Sequence, residues 1–180
     1  MTIDDRALFK RAQTNAAGFG ELFDAYYDRI YKYAYRRVGS RDIADDIAAR
    51  VFEDALKSIK RVRWQGQPII AWLYRIASRR IADFYRGRRD EESFDDLTLA
   101  ASDNVNERVE REDEYAAVRR GIARLHERDR EIIRLAFFDE LSGAEIAATL
   151  GCTANTAYVR LHRALKNLKT ILQGQERGAK

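Results

Sequence analysis

The stretch Leu141 to Leu168, LSGAEIAATLGCTANTAYVRLHRALKNL, leaves this chain few ways to fold. Its apolar residues recur at three- and four-residue steps on both sides of Gly151, the period of helices rather than strands. Ser142 followed by Glu145 has the form of a capping box opening the first helix. Gly151 stands where that helix must stop and turn, a position suited to a residue that tolerates positive φ. Thr153 or Asn155 caps the second helix, whose buried side is Ala157, Leu161, Ala164 and Leu168. Its other side offers Asn155, Thr156, Tyr158, Val159, Arg160, His162, Arg163 and Lys166. A helical pair with one exposed, basic helix has the form of a helix-turn-helix, which lays its second helix in the major groove of DNA. The N-terminal residues of such a helix read bases, while Arg163 and Lys166 meet phosphates. A hairpin with a merely solvated basic face is the plainer alternative.

The rest of the chain also permits helix almost everywhere, since Pro68 is its one proline. Phe19, Leu22, Phe23, Tyr26, Tyr27, Ile30, Tyr31, Ala34 and Val38 mark a long amphipathic helix that Gly39 and Ser40 end. A second helix is expected from Arg41 to Ile59, with Ile43, Ile47, Val51, Phe52, Leu56 and Ile59 inward. Lys60 to Pro68 breaks the pattern. A third runs from Ile69 to Tyr85 on Trp72, Leu73, Ile76, Ala77, Ile81 and Phe84. Arg86 to Asn106 has little periodicity, and helical patterning returns with Val109, Val118, Ile122 and Leu125, then Ile132, Ile133, Leu135 and Ala136. The expected fold is all-α: two small helical domains joined by a flexible acidic linker, the C-terminal one containing the helix-turn-helix. The domains are placed at residues 1–89 and 107–173, with the linker at 90–106 and a flexible tail at 174–180. A partly ordered strap held by Phe94, Leu97 and Leu99 is the alternative for the linker.

Charge sharpens the functional expectation. The net charge is +4, yet Asp90 to Glu114 carries eleven acidic residues against Arg108 and Arg111, a balance of −9 that leaves +13 on the remainder. The positive charge gathers on particular helices, as in nucleic-acid binding proteins. From Trp72 to Arg89, Arg75, Arg79, Arg80, Arg86, Arg88 and Arg89 surround a single acid, Asp83. A helical period sets Arg75, Arg79 and Arg86 on one broad side. Lys57, Lys60, Arg61 and Arg63 precede this block. Between them lie Trp64, Gln65 and Gln67, side chains suited to stacking on and hydrogen-bonding an unpaired base. Trp64 as a core anchor is the competing role.

Catalysis finds no support in the pattern. Asp42, Asp45 and Asp46 lack a phosphate loop or nucleophile beside them, and Asp139 and Glu140 lead into a helix cap. The single cysteine, Cys152, excludes an internal disulfide, and His162 has no partners at metal-ligand spacing. No cofactor or metal is expected. No apolar run approaches the roughly 20 residues of a bilayer span, and the N-terminus has no signal-peptide pattern. The chain is expected to be cytoplasmic, without membrane insertion.

Two blocks in this order, AWLYRIASRRIADFYRGRR and the terminal helix-turn-helix, make the chain resemble the extracytoplasmic-function sigma factors of bacterial RNA polymerase. The resemblance spans residues 19–88 and 107–170. It implies a non-catalytic initiation subunit whose region 2 recognises and melts the −10 element and whose region 4 binds the −35 element. It assigns Arg61, Arg63, Trp64, Gln65, Gln67, Arg75, Arg79, Arg80 and Arg86 to the −10 strand, where the loop from Trp64 to Ile70 captures a flipped base. It assigns Asp45, Asp46, Ala49, Arg50, Phe52 and Glu53 to the clamp helices of core polymerase. The family's usual Gln-Glu pair is Ala49 and Arg50 here, which reverses a charge on that surface. In the recognition helix the common Gly-Thr-Val-Lys-Ser-Arg run becomes Asn155 through Arg160, a change expected to alter promoter preference. The implied partners are core polymerase (clamp helices and flap region), duplex and single-stranded promoter DNA, and an anti-sigma factor. Cys152 falls at a turn position that is usually apolar, which implies packing. A two-domain helix-turn-helix regulator that is no polymerase subunit is the alternative.

Overall fold

Asn15 ends one helix and starts the next, and this corner sets the geometry of the N-terminal half. A computed structural model describes residues 4–91 and 109–178, with side chains over 4–87 and 116–174. The chain divides into two compact units, residues 1–100 and 101–180. Every regular element described is helical.

The first unit holds α1 (Asp5–Thr14), α2 (Ala16–Val38), α3 (Arg41–Ser58), a 3-10 turn (Ile59–Arg61) and α4 (Ile69–Glu91). Asp4 caps α1, its carboxylate accepting the Ala7 N–H at 3.1 Å. Asn15 caps α2 in turn by accepting the Gly18 N–H at 2.7 Å. Gly18 lets α1 cross α2 closely, because a Cβ built there would run into the Arg11 carbonyl. The packed layers are α1 on α2, α2 on α3, and α4 against both α2 and α3. Leu22, Ile30, Val51 and Leu73 are removed from solvent entirely, each contributing roughly 1.5–3 kcal/mol. The Tyr33 and Tyr74 rings meet at 4.4 Å, and the Tyr33 hydroxyl shares a 2.6 Å hydrogen bond with Ser78. A polar tip is thereby satisfied inside an apolar layer.

The second unit holds α5 (Val109–Ala123), α6 (Glu127–Ile133), a π-helical turn (Arg134–Phe138), α7 (Gly143–Leu150) and α8 (Ala154–Gly178). Helix α8 touches α5, α6 and α7. Its Ala157, Ala164 and Leu168 are buried in a core that also contains Ile122, Leu125, Ile132, Ile133, Leu135 and Ile146. Arg130 donates to the terminal carbonyls of Ala123 and Leu125 at 2.8 and 3.0 Å, closing the end of α5. Asn167 donates to the buried Asp129 carboxylate at 2.7 Å, fastening α8 to α6.

Several boundaries differ from those expected. Helix α1 was not anticipated. Helix α4 continues past Tyr85 to Glu91, and α8 past residue 174 to Gly178. The expected linker beyond Glu91, and with it the strap of Phe94, Leu97 and Leu99, lies outside the described residues. Among the described residues no helix is long and apolar enough to cross a membrane.

Candidate nucleic-acid interface

The helix pair α7 and α8 is framed by local hydrogen bonding that its sequence specifies. The Ser142 capping box forms in both directions: Glu145 N–H donates to Ser142 Oγ at 3.3 Å, and Ser142 N–H donates to Glu145 Oε2 at 2.8 Å. Gly151 ends α7 with φ +63°, and the Cys152 N–H returns to the Ala147 carbonyl at 2.9 Å. Of the two candidate caps it is Thr153 that serves α8, its hydroxyl oxygen accepting the Thr156 N–H at 3.2 Å. Asn155 is left exposed in the first turn.

Opposite the buried residues, the helical period sets Asn155, Val159, His162 and Lys166 in one stripe, with Tyr158 beside it and Arg160 further round toward the buried side. All six are exposed, Tyr158 to 70% and Val159 to 56%. Arg163 is exposed as well and sits 3.5 Å from the Asp129 carboxylate. Thr156 departs from the group: half-buried, its hydroxyl bonds Thr153 at 2.9 Å, so it belongs to the cap. In the same unit, Phe137 and Phe138 of the π turn are exposed, apolar positions that the helical period alone did not single out.

On α4, Arg75, Arg79 and Arg86 share an exposed face. Arg86 also bonds Asp83 on that face. Arg80 differs in setting from the other arginines of the expected set. Its guanidinium makes a two-pronged contact with Asp54 of α3, at 2.6 and 2.5 Å, and only about a third of its side chain is exposed (34%). The Asp54 hydrogen bonds raise the Arg80 pKa against a smaller opposing effect of burial. Arg80 therefore ties α4 to α3. Arg61, Arg63, Gln65 and Gln67 stand exposed around the loop before α4. Trp64 is half-buried, resting on Phe9 at 5.1 Å between ring centres with part of its surface exposed.

A third surface lies on α3. Asp45, Asp46, Ala49, Arg50 and Glu53 are exposed. Phe52 is corrected: it is 3% exposed, buried beneath that surface against Phe23 at 4.9 Å and Tyr27 at 5.9 Å. Leu56, expected inside, is 53% exposed and shares the helical face of Asp45, Ala49 and Glu53. The Tyr27 hydroxyl donates to Asp45 at 2.9 Å. Burial foremost, then that bond, raises its pKa above the ordinary 10.0, so the phenol remains a donor. Arg50 pairs with Asp46 at 2.9 Å along the helix.

The three surfaces fall within regions shared with known proteins. Residues 22–91 match the family model for sigma-70 region 2, and residues 115–168 match the model for sigma-70 region 4. The chain is 32% identical to the ECF RNA polymerase sigma factor BldN of Streptomyces coelicolor over 179 residues, covering 94% of this chain and 66% of that protein. It is 30% identical to the RNA polymerase sigma factor SigZ of Bacillus subtilis over 154 residues, with 86% of each chain covered. It also resembles the solved structure of CnrH in complex with the cytosolic domain of CnrY, with a TM-score of 0.63 and 24% identity over 94% of this chain and 97% of that one. That last likeness is one of fold.

Proposed function

The chain belongs to the sigma-70 family of RNA polymerase sigma factors, in its extracytoplasmic-function group, and from that membership we propose how its two units share promoter recognition. It directs bacterial core RNA polymerase to promoters as a non-catalytic subunit, and the core enzyme makes the RNA. Helix α8 takes the duplex −35 element, Asn155, Tyr158 and Val159 facing base edges while Arg160, His162, Arg163 and Lys166 meet the phosphates beside them. The loop with Trp64, Gln65 and Gln67, flanked by Arg61 and Arg63, takes the opened −10 strand together with Arg75, Arg79 and Arg86. Stacking of an unpaired base on an aromatic ring is worth about 1–3 kcal/mol, which offsets much of the few kcal/mol needed to extract it from the duplex.

The exposed face of α3, comprising Asp45, Asp46, Ala49, Arg50, Glu53 and Leu56, docks on core polymerase. The charge reversal at Arg50 is moderated within the helix by its pair with Asp46. A protein partner of the anti-sigma kind belongs to the same proposal, supported by the similarly folded sigma factor RpoE of Bartonella quintana being solved with the anti-sigma factor NepR.

One observation carries this division of labour: the two matched regions coincide with two separate exposed basic surfaces, one on α4 and one on α8. Run-off transcription from a library of genomic promoter fragments tests it. Core polymerase with the chain is expected to yield discrete transcripts that core alone does not. A chain that binds promoter fragments yet neither binds core nor elicits transcripts would be a free helix-turn-helix regulator instead.

A further inference from the structure

We propose that α1 positions the loop between α3 and α4, so that Asp5, Phe9 and Gln13 govern capture of single-stranded DNA without touching it. The inference rests on the assignment of that loop to the −10 strand. From Val62 to Pro68 the loop has no regular secondary structure of its own. Helix α1 holds it at three points. At its entry, Gln13 Nε2 donates to the carbonyls of Ile59 and Val62 at 2.7 and 2.8 Å. In its middle, the buried Phe9 ring supports Trp64 at 5.1 Å and Trp72 at 5.9 Å. At its exit, Asp5 Oδ2 accepts the Ile69 N–H at 2.9 Å, the first residue of α4.

Each hold answers a local deficiency. Pro68 has no side-chain acceptor with which to cap α4, so the cap comes from Asp5, 64 residues away in sequence. The Tyr26 hydroxyl steadies the other Asp5 oxygen at 2.5 Å. Asp5, Phe9 and Gln13 recur at four-residue intervals and therefore lie along one face of α1. Between the pinned ends, Arg61, Arg63, Gln65 and Gln67 remain exposed. A loop already fixed in its binding shape does not dilute its affinity with incompetent conformers, because apparent Kd scales inversely with the competent fraction.

The amide nitrogen of Gln13 gives a clean test. A glutamate at that position is isosteric but cannot donate when ionised, whereas a lysine can. The full chain with core polymerase is titrated against forked DNA whose single-stranded arm is randomised in sequence, with core alone as baseline. Gln13→Glu is expected to weaken the chain-dependent binding by about tenfold, corresponding to a competent fraction near one in ten. Gln13→Lys should restore most of it, with affinity for core and for duplex DNA unchanged in both. Amide hydrogen exchange in the full chain should quicken over residues 62–68 in Gln13→Glu and stay unchanged in the body of α2 to α4. Faster exchange throughout the unit, or unaltered binding by Gln13→Glu while Trp64→Ala weakens it, overturns the positioning role. If Trp64→Ala itself leaves binding unchanged, the assignment of the loop has failed and the inference falls with it.

Discussion

Arg79 and Arg80 are adjacent in sequence and stand in different surroundings. Arg79 stands on the exposed face of α4, whereas Arg80 is spent on Asp54. Arg80→Ala is expected to cost about 1 kcal/mol, a partly exposed but two-pronged pair, and to lower the melting temperature of the N-terminal unit by a few degrees. Arg79→Ala should leave that temperature unchanged while weakening binding to the single-stranded −10 region. Calorimetry and DNA titration on both variants check the pair; equal losses of stability would show that Arg79 is structural too. A similar contrast holds on α8. Asn155→Ala should cost about 1–3 kcal/mol on the preferred −35 sequence and relax selection at one base position. Lys166→Ala should weaken binding to all sequences alike and reduce the salt slope by about 1. Affinity measured across sequence variants and salt concentrations separates a base contact from a phosphate contact.

Among elements, the pair α7 and α8 was the most legible, because its start and its turn are each a local hydrogen-bonding device. The Ser142–Glu145 box and the stop at Gly151 depend on residues within four positions of one another, so sequence spacing specifies them. Gly151→Ala places a Cβ in a left-handed backbone conformation (φ +63°) and should cost roughly 1–2 kcal/mol. Ser142→Ala should cost about 1 kcal/mol through the lost cap. Denaturant unfolding of the full chain, followed through the C-terminal unit, tests both; no loss at Gly151 would mean that the turn relaxes into another shape.

Long-range arrangements were less legible. Helix α1 offers only Leu8, Phe9 and Ala12 as buried positions, too few to reveal a period, and its role depends on partners far along the chain. The end of α4 from Arg86 to Glu91 has no apolar stripe, so nothing in the pattern extends the helix that far. Phe52 and Leu56 show the same limit within one helix: both fit an apolar period, yet α2 covers Phe52 and leaves Leu56 bare. The period of Arg75, Arg79 and Arg86 did reveal a face, but Arg80 was expected at the −10 strand with them, and its contact with Asp54 of another helix left no trace in the spacing.

For the whole molecule, charge and division into units belong together. Residues 90–114 carry −9 while the remainder of the chain carries +13, so binding to duplex DNA should weaken steeply as salt rises. Each unit has its own core and its own exposed basic surface, the pair of surfaces proposed above for closed and opened DNA. Permanganate reactivity of promoter thymines, read beside backbone protection on the same fragment, tests this claim most directly. With core polymerase present, the chain is expected to protect a duplex −35 element and to make thymines of the −10 element reactive, and Arg79→Ala should diminish the reactivity while sparing the protection. Protection that needs no core polymerase and never brings reactive thymines would contradict the account.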